Sequence, residues 1–152
     1  MKQRGFEIAK GWENKDIHLP VRKTKNAAAY DIEAAEDTIV PIYKPGIKPT
    51  LIPTGLKAYC MEDECYFLLS RSGSPKKGLL TPHGLGLIDA DYYENPDNDG
   101  HFMVQVFNCS DHDILIKKGD AIAQVMFTKY LICDNDNANG KRTGGFGSTD
   151  KK

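Results

Sequence analysis

The sequence predicts an all-β domain, sandwich or barrel-like, on three observations. Apolar residues recur in short alternating or continuous runs, and none keeps a 3.6-residue period long enough for an ordinary helix. Turn signals recur roughly every 8–12 residues, the spacing of sandwiches and barrels. Pro41, Pro45, Pro49 and Pro53 stand too close together for a helix and cut their stretch into short β segments. With 152 residues, the chain forms one domain, a size that buries about two-thirds of the unfolded surface.

In order, Phe6-Glu7-Ile8-Ala9 reads as a first short strand, and Ile17 to Val21 alternates, with Pro20 marking an edge or a strand end. Asn26 to Ala34 is alanine-rich, but no helical period continues around it, so it reads as extended. Thr38-Ile39-Val40 leads into the proline stretch. Gly55 to Cys60 and Tyr66 to Leu69 read as the two arms of a hairpin with its tip at Met61-Glu62-Asp63-Glu64. Ser74 to Leu80 is the one short helix, with Ser74 as N-cap and Pro75 at the first helical position. Phe102 to Asn108, Ile114 to Ile116 and Ala121 to Phe127 are strands, with a turn at Lys118-Gly119-Asp120. From Asp134 the chain is polar and glycine-rich and reads as a mobile tail.

Twenty basic and 21 acidic residues leave a formal charge of −1, which provides no global attraction to nucleic acid or anionic membrane. No apolar run approaches the ~20 residues of a membrane span, and the N-terminus has no signal-peptide core, so a cytoplasmic protein is expected. Cys60, Cys65, Cys109 and Cys133 form no Cys-x-x-Cys pair, which argues against a zinc site and for free thiols.

The densest chemistry lies in Gly84-Leu85-Gly86-Leu87-Ile88-Asp89-Ala90-Asp91-Tyr92-Tyr93. A glycine-opened hairpin can offer its own N–H and C=O groups to a flat polar ring. In a strand, Asp89 sits opposite Ile88 and beside Leu87, a carboxylate against apolar surface and a candidate general base; equally, such aspartates cap turns. Four further stretches stand out. Tyr30-Asp31 is uninformative alone. Ser70-Arg71-Ser72-Gly73-Ser74 sets an arginine and hydroxyls before the helix start, as an anion site would or as a plain capped helix would. Gln124 is a polar side chain inside an apolar strand. Lys141 to Thr149 packs cations, hydroxyls and three glycines around Phe146, a composition that can wrap phosphates while a ring covers a base. It is not a Walker P-loop, because the spacing differs and no helix follows.

In this order and spacing, the five stretches resemble the trimeric dUTPase family, from about Asn26 to Thr149; Gly86 to Tyr92 and Arg142 to Thr149 are the most specific. The resemblance implies a jelly-roll-like β-barrel over residues 1–133, a flexible arm over 134–152, and a homotrimer with shared active sites at subunit contacts. It implies a dUTP diphosphatase giving dUMP and pyrophosphate. Asp89 matches the residue that activates the water attacking the α-phosphate. Tyr92 matches the ring that packs on deoxyribose and excludes a 2′-hydroxyl. Gly86, Leu87 and Ile88 match the backbone that reads uracil. Arg71, Ser72 and Gly73 match phosphate contacts, and Gln124 matches a glutamine near the α-phosphate. Arg142, Phe146, Gly147, Ser148 and Thr149 match the tail that closes over nucleotide, expected on a neighbouring subunit. Asp31 matches the acid that holds waters of a Mg²⁺ carried mainly by the triphosphate.

Several residues depart from the family pattern: His83, Tyr93, Ala121, Asp150 and a connection lengthened over Glu94 to Gly100. That insert could serve a protein partner, which keeps a regulatory, protein-binding role as one alternative. A dCTP deaminase of the same fold is another, opposed by the Ile88-Asp89-Ala90-Asp91-Tyr92 run and the tail. A single-stranded nucleic-acid module is opposed by the near-neutral charge and the scattered aromatics.

Overall fold

Short alternating segments become eleven strands in the computed structural model, which describes residues 1–150: β1 (Gly5–Ile8), β2 (Tyr30–Glu33), β3 (Thr38–Val40), β4 (Thr50–Pro53), β5 (Leu56–Tyr59), β6 (Glu64–Leu69), β7 (Leu79–Leu80), β8 (Leu85–Asp89), β9 (Met103–Asn108), β10 (Ile114–Ile116) and β11 (Ala121–Lys129). The main sheet has the order β2-β11-β6-β8, a second has β4-β9-β7, and β1-β5 and β10-β3 form two-stranded ribbons. Every ladder is antiparallel. Chain neighbours mostly fall in different sheets, as a jelly-roll-like architecture requires. Among the described residues, no helix is long and apolar enough to cross a membrane.

Period two decides which side chains enter the core. Ile32, Tyr66, Leu68, Ala123 and Val125 of the main sheet and Ile52, Val104 and Val106 of the second join one buried cluster. Tyr66 packs edge-on against Phe102 at 5.9 Å between centroids. The opposite face of the main sheet looks outward. Cross-strand register aligns Asp31, Gln124, Leu69 and Leu85 in one row of that face, and Leu87 and Asp89 follow Leu85 along β8. Leu85 and Leu87 are 45% and 59% exposed there, large apolar groups that the single chain does not cover.

Three local expectations need correction. Ile17 to Val21 forms no strand; it makes one bridge, Val21 to Asp31. The stretches 55–60 and 66–69 are not arms of one hairpin, because β5 pairs with β1 while β6 pairs with β11 and β8. The corner between them is built on Glu64, whose buried carboxylate takes Arg4 Nε at 3.1 Å and Met61 N at 3.2 Å. That anchored turn sends the chain from one sheet to another. The expected helix shrinks to a single 3₁₀ turn at Pro75–Lys77: Ser74 already has helical φ and ψ, its side chain makes no cap, and Gly78 in the left-handed region ends the turn at once.

The connection after β8 is compact. A 3₁₀ turn at Ala90–Tyr92 leads into a loop in which Asn95 is 5% exposed and Gly100 adopts φ +81°. Lys57, on β5, reaches into it with Nζ 3.0 Å from both Glu94 and Asp99. At the loop's end, His101 accepts Gly55 N–H through Nε2 at 2.9 Å. Burial holds the His101 imidazole down at about 4, against an ordinary 6.5. The neutral ring is therefore the native form, and stability is present above the unfolded value and lost as pH falls from 6.5 through about 4. We expect the melting temperature to decline across that window, and His101→Gln, which keeps an acceptor that cannot charge, to flatten this part of the profile. An unchanged profile in the variant would assign the decline to other groups.

Candidate active site

Because β8 is the last strand of the main sheet, only one of its edges is paired. In an antiparallel strand every second residue turns both N–H and C=O to one side, so β8 presents a row of free backbone donors and acceptors. The expected 84–88 hairpin is thus an open sheet edge: Gly84 (φ +69°) only turns the chain in after Thr81, and β7 on the far side of that turn pairs with β9. A cleft of about 390 Å³ opens beside this edge, lined among others by Gly86, Leu87, Ile88, Asp89, Tyr92 and Gln105. The His83 ring leans over Gly86, where a Cβ would lie 3.1 Å from its Cε1.

Asp89 ends β8 with extended backbone and shares its face with Leu85 and Leu87, as its strand position requires. The face is open, however, and the carboxylate side chain is 54% exposed, so apolar desolvation is not supplied within one chain. Its partner is the tail. Arg142, 17% exposed, donates from Nη2 to Asp89 Oδ2, from Nε to Asp91 Oδ1 at 2.6 Å, and from Nη1 to Gly144 O at 3.3 Å. Gly145 lies flat against Tyr92, where a Cβ would come within 2.5 Å of Cε2. Phe146, Gly147 and Thr149 complete the cleft wall, with Phe146 in a left-handed conformation at φ +52° and Ser148 opening the last 3₁₀ turn. Within this chain, Arg142 and residues 145–149 thus lie beside β8 and the turn that follows it. Lys151 and Lys152, the end of the arm read from the sequence, lie outside the described residues.

The other predicted residues gather elsewhere. Asp31 on β2 holds Arg71, Nε to Oδ1 3.3 Å, with the Asp31 side chain 12% exposed. Gln124 stands beside Asp31 across the β11–β2 ladder, and its Nε2 donates to Ser70 O at 3.0 Å. Ser72 and Gly73 follow in the exposed turn before Pro75. Of this group only Asp31 lies on the far edge strand; Gln124 is on the interior strand β11, and Arg71 follows β6 at the Leu85 end of β8, away from Asp89. Three interstrand spacings make ~14 Å across, and the four residues from Leu85 to Asp89 add ~13 Å along the strand, so Asp31 stands roughly 19 Å from Asp89 on one outward face. The five stretches thus form two half-sites and do not converge within the chain.

Among the described residues, no three His, Cys, Asp or Glu side chains gather as a metal cage. Asp31 is a single carboxylate, which fits a Mg²⁺ that keeps its waters and rides on phosphate oxygens and does not fit a resident cation site. Sequence reasoning passed over Asp91, which proves to be the second anchor of Arg142, and Gly145. Both stood inside the two most specific stretches, which was the available signal. The departures at 93 and 121 are structural: Tyr93 donates to Glu7 at 2.7 Å, burial and then this bond pushing its phenol upward, and Ala121 opens β11 opposite Glu33.

Comparison with known proteins matches a family model described as dUTPase to residues 15–150. A deoxyuridine 5'-triphosphate nucleotidohydrolase of Lactococcus lactis subsp. lactis (strain IL1403) is 46% identical over 98% of this chain and 99% of its own. One from Actinobacillus pleuropneumoniae serotype 3 (strain JL03) is 33% identical over 100% of both. The crystal structure of dUTPase from Streptococcus mutans superposes with a TM-score of 0.80 at 36% identity, covering 86% of this chain and 99% of that one. A mutant dUTPase from phage phi11 of S. aureus, solved with a coordinated structural Mg(II) ion, shares the fold with a TM-score of 0.70 at 18% identity, over 91% of this chain and 98% of that one.

The Gly145–Tyr92 contact makes the tail's seat testable. Gly145→Ala should lift the tail from the ring, speed tryptic cleavage at Lys141 and Arg142 several-fold, and leave the melting temperature of the barrel within a degree or two. Equal cleavage rates would show that the tail does not depend on this contact.

Proposed function

We propose, from the premise that this chain belongs to the dUTPase family and is a hydrolase converting dUTP to dUMP, that each active site is assembled from more than one copy of the chain. The observation that carries this is the separation of the two half-sites on one outward face, with exposed Leu85 and Leu87 beside them. A contact that joins the β8 half-site of one copy to the Asp31–Arg71–Gln124 half-site of the next is heterologous, and such contacts form a ring when the rotation closes. A ring of three agrees with the trimeric family that the sequence resembles. It would also cover Leu85 and Leu87, which places Asp89 among apolar groups only after assembly.

In this reading the free edge of β8 at Gly86, Leu87 and Ile88 holds uracil by backbone hydrogen bonds, and the Tyr92 ring packs against deoxyribose. Asp89 aligns a water on the α-phosphorus and takes its proton. The new P–O bond forms as the α,β-bridging P–O bond breaks, and pyrophosphate leaves with the electron pair. Arg71, Ser72 and Gly73 bind the phosphates, and Gln124 lies near the α-phosphate. Mg²⁺ on the triphosphate would supply charge neutralisation, and Asp31 would hold one of its waters; the lone, mostly buried carboxylate supports this. Arg142 must leave Asp89 and Asp91 before Asp89 can act as a base, and the entering polyanion offers it stronger partners. Its transfer to phosphate would draw Phe146, Gly147, Ser148 and Thr149 over the nucleotide and exclude bulk water.

Asp89→Asn should keep dUTP binding and lower kcat by ~10² or more, since the lost base acts on the transition state. A parallel loss of affinity and rate would instead indicate a binding role.

The shared site has its own test. Light scattering should give about three times 16.9 kDa. Asp89→Asn and Arg71→Ala, each inactive alone, should regain about a quarter of wild-type activity after unfolding and refolding as an equal mixture, because mixed rings contain some sites intact on both sides. A monomer, or a mixture as inactive as its parts, would refute assembly across copies.

A further inference from the structure

The loop after β8 is lengthened relative to the family pattern, and its polar side chains turn inward onto one residue, Tyr92. Tyr92 is 7% exposed and lines the cleft. Its phenol is fully engaged. It donates to His101 O at 2.9 Å and accepts from Asn98 Nδ2 at 2.8 Å. Asn98 is itself held: its Oδ1 takes Asn95 Nδ2 at 2.7 Å and Gly100 N at 3.1 Å. Asn95 closes the loop by donating from the same Nδ2 to Tyr92 O at 2.9 Å and accepting from Asn98 N at 3.2 Å. The Asn95–Asn98 pair therefore grips Tyr92 at both ends, backbone carbonyl and phenol. Gly100 lets the chain pass behind it, since a Cβ there would lie 2.8 Å from Tyr92 O. Lys57 between Glu94 and Asp99, and the Lys10 N–H on Asp99 Oδ2 at 2.8 Å, fasten the loop to the barrel.

We infer that Asn98 is a specificity-determining positioning residue, which acts through the Tyr92 phenol to fix the ring against the sugar and so sets the discrimination between deoxyribo- and ribonucleoside triphosphates. The inference rests on the proposed packing of Tyr92 on deoxyribose. Excluding one hydroxyl by a ring edge requires the ring to stay in place to a fraction of its own thickness. A phenylalanine-like side chain at the mouth of an open cleft can tilt about its χ angles, whereas a phenol held by a donor and an acceptor cannot tilt without breaking both bonds. Positioning of this kind affects a poor substrate more than a good one, because the good substrate never tests the wall.

The experiment measures kcat/KM for dUTP and for UTP, together with melting temperature, in the wild type, Asn98→Ala, Tyr92→Phe, their double mutant and Tyr92→Ala. Asn98→Ala should lower the dUTP:UTP ratio about tenfold, mainly by raising UTP turnover. Tyr92→Phe keeps ring and loop and removes the linking oxygen, so it should lower the ratio to a similar extent. The double mutant should then add little to either single change, because both remove one interaction. A ratio within twofold of wild type in Asn98→Ala, with only a lower melting temperature, would overturn the inference and leave Asn98 a structural residue. If Asn98→Ala does not fold, a wild-type ratio in Tyr92→Phe would overturn it equally. Tyr92→Ala separates the two levels: an unchanged ratio there defeats the sugar-packing reading itself, whereas a collapsed ratio there with intact discrimination in Asn98→Ala defeats only the role of Asn98.

Discussion

β8 hydrogen-bonds to β6 along one edge and leaves the other open, and the site is organised by that asymmetry. The paired edge fixes register: Asp89 stands opposite Cys65, and Leu85 opposite Leu69. A slip of one residue would turn Asp89 into the core and Ile88 outward, so the buried face, with Ile88, Tyr66 and Leu68, enforces the placement of the carboxylate. The open edge supplies backbone groups already extended and spaced for a planar ligand, so no segment has to order itself to create them. Glycine at 86 leaves room on the core side, where the Leu68 side chain and the His83 ring close in. An exposed edge strand ordinarily invites pairing with another chain. Here the tail passes over the cleft beside it.

Much of this was legible from residue order alone. Alternation located nearly every strand, and the glycine-apolar-aspartate run at 84–93 marked the edge strand and its carboxylate. Partner choice was not legible. The stretches 55–60 and 66–69 look like hairpin arms because alternation records which face is buried, not which strand lies alongside. The deciding group was Glu64, charged and therefore read as turn tip, yet 3% exposed and held by Arg4 from sixty residues upstream. The loop at 94–100 was legible only as a lengthened polar connection, and three-dimensional placement shows its amides satisfying one another and a tyrosine phenol. Polar residues that serve as internal scaffolding carry no periodic signature.

The division into half-sites has a physical rationale beyond assembly. Arg71 beside Asp31 and Arg142 between Asp89 and Asp91 each hold the cation of one half-site on a carboxylate of the same half-site. The Arg71–Asp31 half is therefore neutral and the Arg142 half carries one net negative charge, which limits the uncompensated charge on a face that also carries Leu85 and Leu87. In the proposed reading, when the halves meet around a polyanion, both arginines exchange carboxylates for phosphate oxygens, and Asp31, Asp89 and Asp91 are released together. Two groups that a static view pairs as ion pairs then take separate duties, one toward the phosphates and the other toward water.

The exchange is favourable only if phosphate outbids carboxylate, and geometry bears on that. The Arg142 fork now spans two carboxylates, from Nη2 and Nε, so leaving costs two charge-assisted hydrogen bonds of about 1.5–3 kcal/mol each. In the proposed reading, a diphosphate or triphosphate chain can return two such bonds to the same fork, whereas a single α-phosphate offers fewer oxygens. Release of the Asp89 base is thereby coupled to the presence of a full polyphosphate, and the product nucleotide would return Arg142 to its carboxylates. The arginine that closes the tail would then also time the availability of the base, because the same five N–H donors cannot serve both partners at once.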